Sequence, residues 1–145
     1  MTTMGRIFEK ASPTMPRKGI RILVADDDPV NRRLDGMLLE RAGLDTVIVD
    51  DGLSAIETLK TGFFNIILLD LDMPGLSGLE TAKRIRTGVA GQQQAGAIIL
   101  ALTGYSGDHG QQTCLDAGME GVLSKPLDMD DLAPWLAKAL AKTGG

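Results

Sequence analysis

The chain has 145 residues, 43% of them hydrophobic, and a formal net charge of −4, a length that favours one domain around a single core. No apolar run of membrane-spanning length and no apolar stretch behind a basic start is present, which argues against a span or signal peptide and for a cytoplasmic protein. The first 18 residues carry +3 and leave −7 on the remainder; with 3% aromatics and no basic stripe, this body is unsuited to nucleic acid, and the lone Cys114 offers neither a disulfide framework nor a thiolate zinc site.

Residues 1–19 have no apolar period and are expected to form a flexible arm. From residue 20 onward, short apolar runs alternate with amphipathic stretches. "IRILVA" (20–25) is a buried strand. "PVNRRLDGMLLERAG" (29–43) sets Val30, Leu34, Met37, Leu38 and Arg41 at helical spacing before a closing Gly43. "TVIV" (46–49) is a strand, "LSAIETLKTG" (53–62) a helix with Leu53, Ile56 and Leu59 inward, and "NIILL" (65–69) a strand. "GLETAKRIRTG" (78–88) is helical through Leu79, Ala82 and Ile85. "VAGQQQAG" (89–96) reads as a surface loop whose three Gln are solvated filler. Then follow the strand "AIILAL" (97–102), the helix "DHGQQTCLDAG" (108–118), the strand "GVLS" (121–124) and the helix "DMDDLAPWLAKAL" (128–140). Crossovers of this length make parallel pairs with right-handed connections and helices on both faces. The expected fold is a doubly wound five-stranded α/β sheet of flavodoxin-like order 2-1-3-4-5.

In such sheets functional groups gather at the carboxyl ends of the strands. There the chain delivers Asp26, Asp27 and Asp28 after strand 1, Asp70 after strand 3, Thr103 after strand 4, and Ser124, Lys125 and Pro126 after strand 5. Two carboxylates about 4 Å apart repel by roughly 1 kcal/mol in water and about 4 kcal/mol at an effective dielectric of 20, so several together call for a cation. Carboxylates without nearby His or Cys fit a hard ion, Mg²⁺. With Lys125 as a point charge and Thr103 as a donor, the set suits a phosphoryl group attacked by a carboxylate oxygen.

The ordered set "VADDDPVNRRL", "ILLDLDMPGLSG", "ALTG" and "LSKP" resembles the receiver domains of two-component response regulators over residues 20–141, most nearly those of hybrid kinases and phosphorelays. The resemblance implies that Asp70 is the phospho-acceptor and that Asp26 and Asp27 hold Mg²⁺ together with Asp70 and the Asp72 backbone carbonyl. It implies that Thr103 and Lys125 contact the phosphoryl oxygens. The donor would be a sensor histidine kinase or a histidine phosphotransfer protein. Residues 142–145 are expected to form a tail with no output domain after them, so that the signal would leave by contact with a downstream protein or by phosphorelay, without nucleic acid or membrane.

The chain departs from that pattern at Val122, where these domains usually carry Tyr or Phe three residues before the lysine. Asp72 and Tyr105 occupy the two positions that flank a hydrolytic water. Other residues have ordinary readings: Asp28 before Pro29 as a helix cap, His109 as an exposed loop residue, Cys114 and Trp135 as packing, and Pro134 as a bend in the last helix. Asp70 before "MPG" is also a turn former, Thr103 before Gly104 fits a turn, and Lys125 before Pro126 fits a solvated loop. Two rivals stay open. "LLDLDMP" also resembles the Asp-x-Asp motif of haloacid-dehalogenase-type Mg²⁺-dependent phosphatases, although there the motif strand comes first and the acidic pair last. The other is a receiver-like interaction module that is never phosphorylated.

Overall fold

A computed structural model describes residues 19–104 and 110–144; the expectations for residues 1–18, Tyr105 and His109 lie outside the described residues. The strands are β1 (Arg21–Ala25), β2 (Asp45–Val49), β3 (Ile66–Asp70), β4 (Ile98–Thr103) and β5 (Gly121–Ser124). The helices are α1 (Pro29–Arg41), α2 (Gly52–Leu59), α3 (Gly78–Arg86), α4 (Gln92–Ala95), α5 (Gln111–Asp116) and α6 (Met129–Gly144). All neighbouring strands are parallel in the order β2-β1-β3-β4-β5, with Val24 beside Ile48 and Leu68, and Leu68 beside Leu100. The expected strand order is therefore observed.

Strand alternation divides the interior in two. Ile22, Val24, Ile66, Leu68, Leu100 and Leu102 face α1 and α6, where Leu39, Leu132 and Leu136 meet them. Leu23, Ala25, Ile67, Leu69, Ile99 and Ala101 face α2, α3 and α5, against Ile56, Ile85 and Cys114. Both faces are covered, so the central strands read as continuous apolar runs. Helix starts are set by short polar side chains: Asp28 accepts from the Val30 N–H at 2.8 Å, Asp51 from Ser54 at 2.7 Å and Ser77 from Glu80 at 3.2 Å. Asp28 is thus the expected cap, with Pro29 in the first turn. Pro134 lies inside α6, which continues through it.

Three expectations need correction. On α1, Val30, Leu34 and Met37 are 63%, 51% and 48% exposed and Arg41 is exposed, while Leu39 and Asp35 are the buried residues. That helix carries two stripes of compatible spacing, and its rotation is fixed by the Asp28 cap and by Arg32, whose Nη1 donates to the Asp26 carbonyl at 3.0 Å. On α2, Leu53 is likewise exposed, and Ala55 joins Ile56 and Leu59 inside.

The third correction concerns "VAGQQQAG". It contains the single turn α4, and Gln94 is only 3% exposed. Its Oε1 accepts from the Phe64 N–H at 3.2 Å, and its Nε2 donates to the Leu59 carbonyl at 3.0 Å and to that of Gly62. Gln94 therefore satisfies main-chain groups of the α2–β3 connection that would otherwise be buried unpaired. Arg86 does similar work nearby, donating to the carbonyls of Gly118, Ala95 and Ala97 at 2.8, 2.7 and 2.6 Å. Gln94→Ala should lower stability by about 2–3 kcal/mol, since it strands buried partners rather than deleting an exposed side chain. Urea unfolding would check this, and a loss under about 0.5 kcal/mol would mean that water replaces the amide.

Candidate functional site

The row of β1 and β3 residues that faces α1 and α6 ends at its upper rim in two acids. Asp26 continues the series Ile22, Val24, and Asp70 continues Ile66, Leu68. Both are buried, Asp26 completely. Each uses one oxygen to fix the turn that follows it: Asp26 Oδ1 accepts from the Asp28 N–H at 2.9 Å, and Asp70 Oδ1 from the Asp72 N–H at 3.0 Å. The other oxygens converge on one ammonium. Lys125 Nζ lies 3.0 Å from Asp70 Oδ2 and 3.3 Å from Asp26 Oδ2.

Lys125 is delivered by β5 and held by its own N–H, which donates to the Thr103 carbonyl at 2.8 Å; the Lys125–Pro126 peptide is cis. Thr103, the last residue of β4, is buried beside it in the chain-end row. Asp27 is exposed at the rim, and Asp26, Asp27 and Asp70 offer carboxylate oxygens all within 4.8 Å of one another. Asp72 is exposed just past β3. Gly78 is required where α3 begins, because a Cβ there would collide with the Asp70 carbonyl oxygen. Of the sequence-derived residues, Asp26, Asp27, Asp70 and Lys125 are thus gathered, with Thr103 joined through the lysine main chain. Val122 is half-buried on β5 and packs toward the α2–α3–α5 side.

The charges are unbalanced. Burial raises the Asp26 carboxyl above its ordinary value, the Asp28 N–H and Lys125 offset part of that rise, and Asp70 adds to it. Asp27 is raised by partial desolvation and then by the neighbouring Asp70 carboxylate. Burial alone would lower Lys125, but its hydrogen bond and attraction to Asp70, then to Asp26, hold it above the ordinary lysine value. Although Asp26 Oδ2 is within ion-pair distance of Lys125, no hydrogen bond of proper geometry reaches it. A buried oxygen with an open lone pair, beside two more carboxylates, fits a hard divalent cation such as Mg²⁺.

One acid escaped the sequence reading. Asp35 is buried on the inner face of α1, 6% exposed, with no hydrogen bond or ion pair among the described residues. Its pKa is pushed up to about 6, by desolvation first and then by Asp26, against a smaller pull from Lys125. Its signal was its place three residues after Arg32 and four before Leu39, on the stripe that the sequence reading left outside.

A doubly wound sheet whose carboxyl edge gathers three acids and a lysine defines a small α/β domain with an acidic pocket suited to a cation. Residues 22–137 match the response regulator receiver domain, and the chain belongs to that family. It is 32% identical over 126 residues to the sensor protein GacS of Pseudomonas syringae pv. syringae, covering 87% of this chain and 14% of that protein. The chain therefore spans a small part of the relative it matches. The receiver domain of the sensor histidine kinase PA1611 of Pseudomonas aeruginosa PAO1, solved with magnesium in its active-site cleft, superposes with a TM-score of 0.74 at 29% identity, covering 85% of this chain and 98% of that one. The Ssk1 receiver of Saccharomyces cerevisiae, solved with the histidine phosphotransfer protein Ypd1, gives 0.71 at 28% identity, with 82% and 87% covered. Among the described residues, no helix is long and apolar enough to cross a membrane.

Asp35 generates a test of the electrostatics. Its folded pKa of about 6 stands above the ordinary 3.8, so between these values the folded chain holds a proton that the unfolded chain has released. Its contribution to stability therefore falls as pH rises from about 4 to about 6 and stays low above that. Asp35→Asn should stabilise the protein by about 1–3 kcal/mol at pH 8 and by progressively less below pH 6. Chemical unfolding at pH 8 and pH 4.5 measures the difference, and an effect equal at both would refute it.

Proposed function

We propose that this chain accepts a phosphoryl group on Asp70 from the phosphohistidine of a sensor histidine kinase or a histidine phosphotransfer protein. The observation that carries this reading is the pairing of Asp70 Oδ2 with Lys125 Nζ at 3.0 Å inside a three-acid cluster at the sheet's carboxyl edge. Asp26, Asp27, Asp70 and the Asp72 backbone carbonyl would hold Mg²⁺. When bound, the ion supplies positive charge that offsets repulsion between the acids and the phosphoryl oxygens.

The protein groups do the rest. Asp70 is held by the Asp72 N–H through Oδ1, so Oδ2 is the oxygen presented for attack. Its bond to phosphorus forms as the phosphorus–nitrogen bond of the donor breaks, and the imidazole leaves. Lys125 moves from pairing two carboxylates to pairing a phosphoryl oxygen, and the Thr103 hydroxyl contacts another. Positioning and charge supply most of the catalysis in phosphoryl transfer, which fits a pocket of fixed acids and one ammonium. The domain accelerates its own phosphorylation and hydrolysis and turns over no separate substrate. The cytoplasm is the compartment where such donors meet it.

The exposed stripe Val30, Leu34 and Met37 runs down α1 from the pocket rim, beginning two residues after the Asp28 cap. An apolar helix face next to the acceptor suits a helical donor that must bring its phosphohistidine to Asp70. The Ssk1 complex, which pairs a receiver with a phosphotransfer protein, supports a partner of this kind.

Acetyl phosphate with Mg²⁺ should label the chain with a base-labile acyl phosphate, and Asp70→Asn should abolish it; undiminished labelling of that variant would move the acceptor elsewhere. Asp27→Ala should weaken Mg²⁺ binding more than Asp28→Ala, which removes a cap worth about 1 kcal/mol and leaves the site. Leu34→Asp should slow transfer from a phosphotransfer partner roughly tenfold while labelling by acetyl phosphate is retained. Equal slowing of both would place Leu34 in folding rather than docking.

A further inference from the structure

The Asp26 carbonyl marks the place where the chain of β1 leaves the sheet. Asp26 donates its N–H to the Val49 carbonyl at 3.2 Å, one step beyond the pairing of Ala25 with Val49. In a parallel ladder the Asp26 carbonyl would next accept from the N–H of Asp51. β2 ends at Val49, however, and Asp51 instead begins α2 as its cap. Arg32 takes over: its Nη1 donates to the Asp26 carbonyl at 3.0 Å, the only hydrogen bond that this carbonyl receives among the described residues. The side chain can reach it because Arg32 closes the first turn of α1, and helical side chains lean toward the N-terminus. Its own N–H donates to the Asp28 carbonyl at 3.0 Å, and Asp28 Oδ1 accepts from Val30 at 2.8 Å. These bonds tie residues 26–28 to the start of α1.

Asp26 is also held through its side chain, Oδ1 by the Asp28 N–H and Oδ2 facing Lys125. Asp27 is different. It is exposed at the rim, so its place follows from the main chain rather than from packing. The peptide that joins it to Asp26 is planar, and its orientation is set by the donor that holds its oxygen, here Arg32. We infer that Arg32 is a positioning residue of the cation pocket: by fixing the Asp26–Asp27 peptide it sets where the Asp27 carboxylate stands for Mg²⁺. This rests on the reading of Asp26, Asp27 and Asp70 as the Mg²⁺ site. Mg²⁺ demands near-ideal octahedral geometry, so a displaced carboxylate is a poorer ligand. The guanidinium suits the task, since its planar fork is pre-organised for hydrogen bonding. Its charge acts in the opposite direction, because a cation close to the pocket repels Mg²⁺. Positioning and charge therefore predict opposite outcomes when Arg32 is removed.

Calorimetric titration of the whole chain with MgCl₂ tests this, comparing wild type, Arg32→Met, Arg32→Lys and Arg33→Met; Arg33 is exposed one residue further on, and its variant removes the same charge. Arg32→Met should bind Mg²⁺ about tenfold more weakly than wild type, although it has lost a repelling cation. Arg32→Lys, which keeps the charge and a donor, should lie between the two. Arg33→Met should stay within about twofold of wild type. Labelling by acetyl phosphate across a range of MgCl₂ gives a second readout. Arg32→Met should need about tenfold more Mg²⁺ for half-maximal labelling yet reach nearly the wild-type rate at saturation, a split that general loosening of the fold does not produce. If Arg32→Met is poorly folded, Arg32→Leu gives the same comparison. An Mg²⁺ affinity of Arg32→Met equal to or above that of wild type would overturn the role of Arg32, as would a loss of the same size in Arg33→Met, and either result leaves the Mg²⁺ site standing. No saturable Mg²⁺ binding by wild type would overturn the site itself, and this inference with it.

Discussion

One ammonium stands between two buried carboxylates, and the rest of the molecule is arranged around that shortage of positive charge. Lys125 pairs with Asp70 and Asp26 at 3.0 and 3.3 Å while Asp27 waits at the rim. The fold supplies what side chains do not. In a parallel sheet every crossover helix starts at the carboxyl edge, so α1 and α3 turn their positive ends toward the acids. Main-chain N–H groups of Asp28 and Asp72 take up one oxygen of each buried carboxylate, which leaves the remaining oxygens for a cation and a phosphoryl group. A site with surplus negative charge is poised to gain from either a metal or a positive partner, and for that reason it is metastable without them.

The parts of this arrangement that follow from strand periodicity were legible in the sequence. An apolar run that stops on an acid has little choice about where the acid sits, since period-two alternation and parallel pairing bring the ends of β1, β3, β4 and β5 to one edge. That is why the ends of β1, β3, β4 and β5, with Asp26, Asp70, Thr103 and Lys125, fall at one edge in an order legible in the sequence. Helix rotation was less legible. On α1 the stripe of Val30, Leu34 and Met37 is more apolar than the stripe of Arg32, Asp35 and Leu39, yet the second faces the sheet. Hydrophobic spacing reports that a helix has an apolar face, and here a second surface competes with the core for it. Gln94 was missed for a related reason. A polar residue in a Gly-rich stretch looks solvated unless one knows that the main chain of residues 59–64 turns beneath it with groups to satisfy.

The two faces of α1 tie these observations together. Its outer face is apolar and open beside the pocket, while its inner face carries the buried acid Asp35, which has no hydrogen bond or ion pair among the described residues. Either surface would be improved, as packing, by exchanging the residues. A leucine at position 35 would bury well, and polar groups at 30, 34 and 37 would suit solvent. Local departures from good packing concentrate where function competes with stability. A helix that departs on both faces, and that starts directly after two pocket acids, is where the proposed docking surface competes with packing.

At the far edge of the sheet the same reasoning bears on how a signal leaves the pocket. β5 is an edge strand, and Gly121 lets Trp135 of α6 lie against it, since any Cβ there would meet the indole. On the same strand Val122 borders a groove of about 300 Å³ shared with Cys114, Leu115, Glu120 and Trp135. In the resembling receivers an aromatic at this position swings inward when the threonine moves, and its departure remodels the surface of the neighbouring helices. Val122 is short and β-branched, with few rotamers and little reach. Thr103 can still respond to a phosphoryl group, but a side chain that cannot swing makes little differential contact in the two states, and coupling is no larger than that difference. On this argument the strand-5 face should couple only weakly to the pocket. The surfaces joined to the pocket by main chain should respond most: the turn after Asp70, whose Asp72 N–H holds the acceptor, and the start of α1, anchored through Asp26 and Arg32. A receiver built this way reports its state beside the acceptor rather than at a distance, which matches a domain that hands its phosphoryl group to the next protein in a relay.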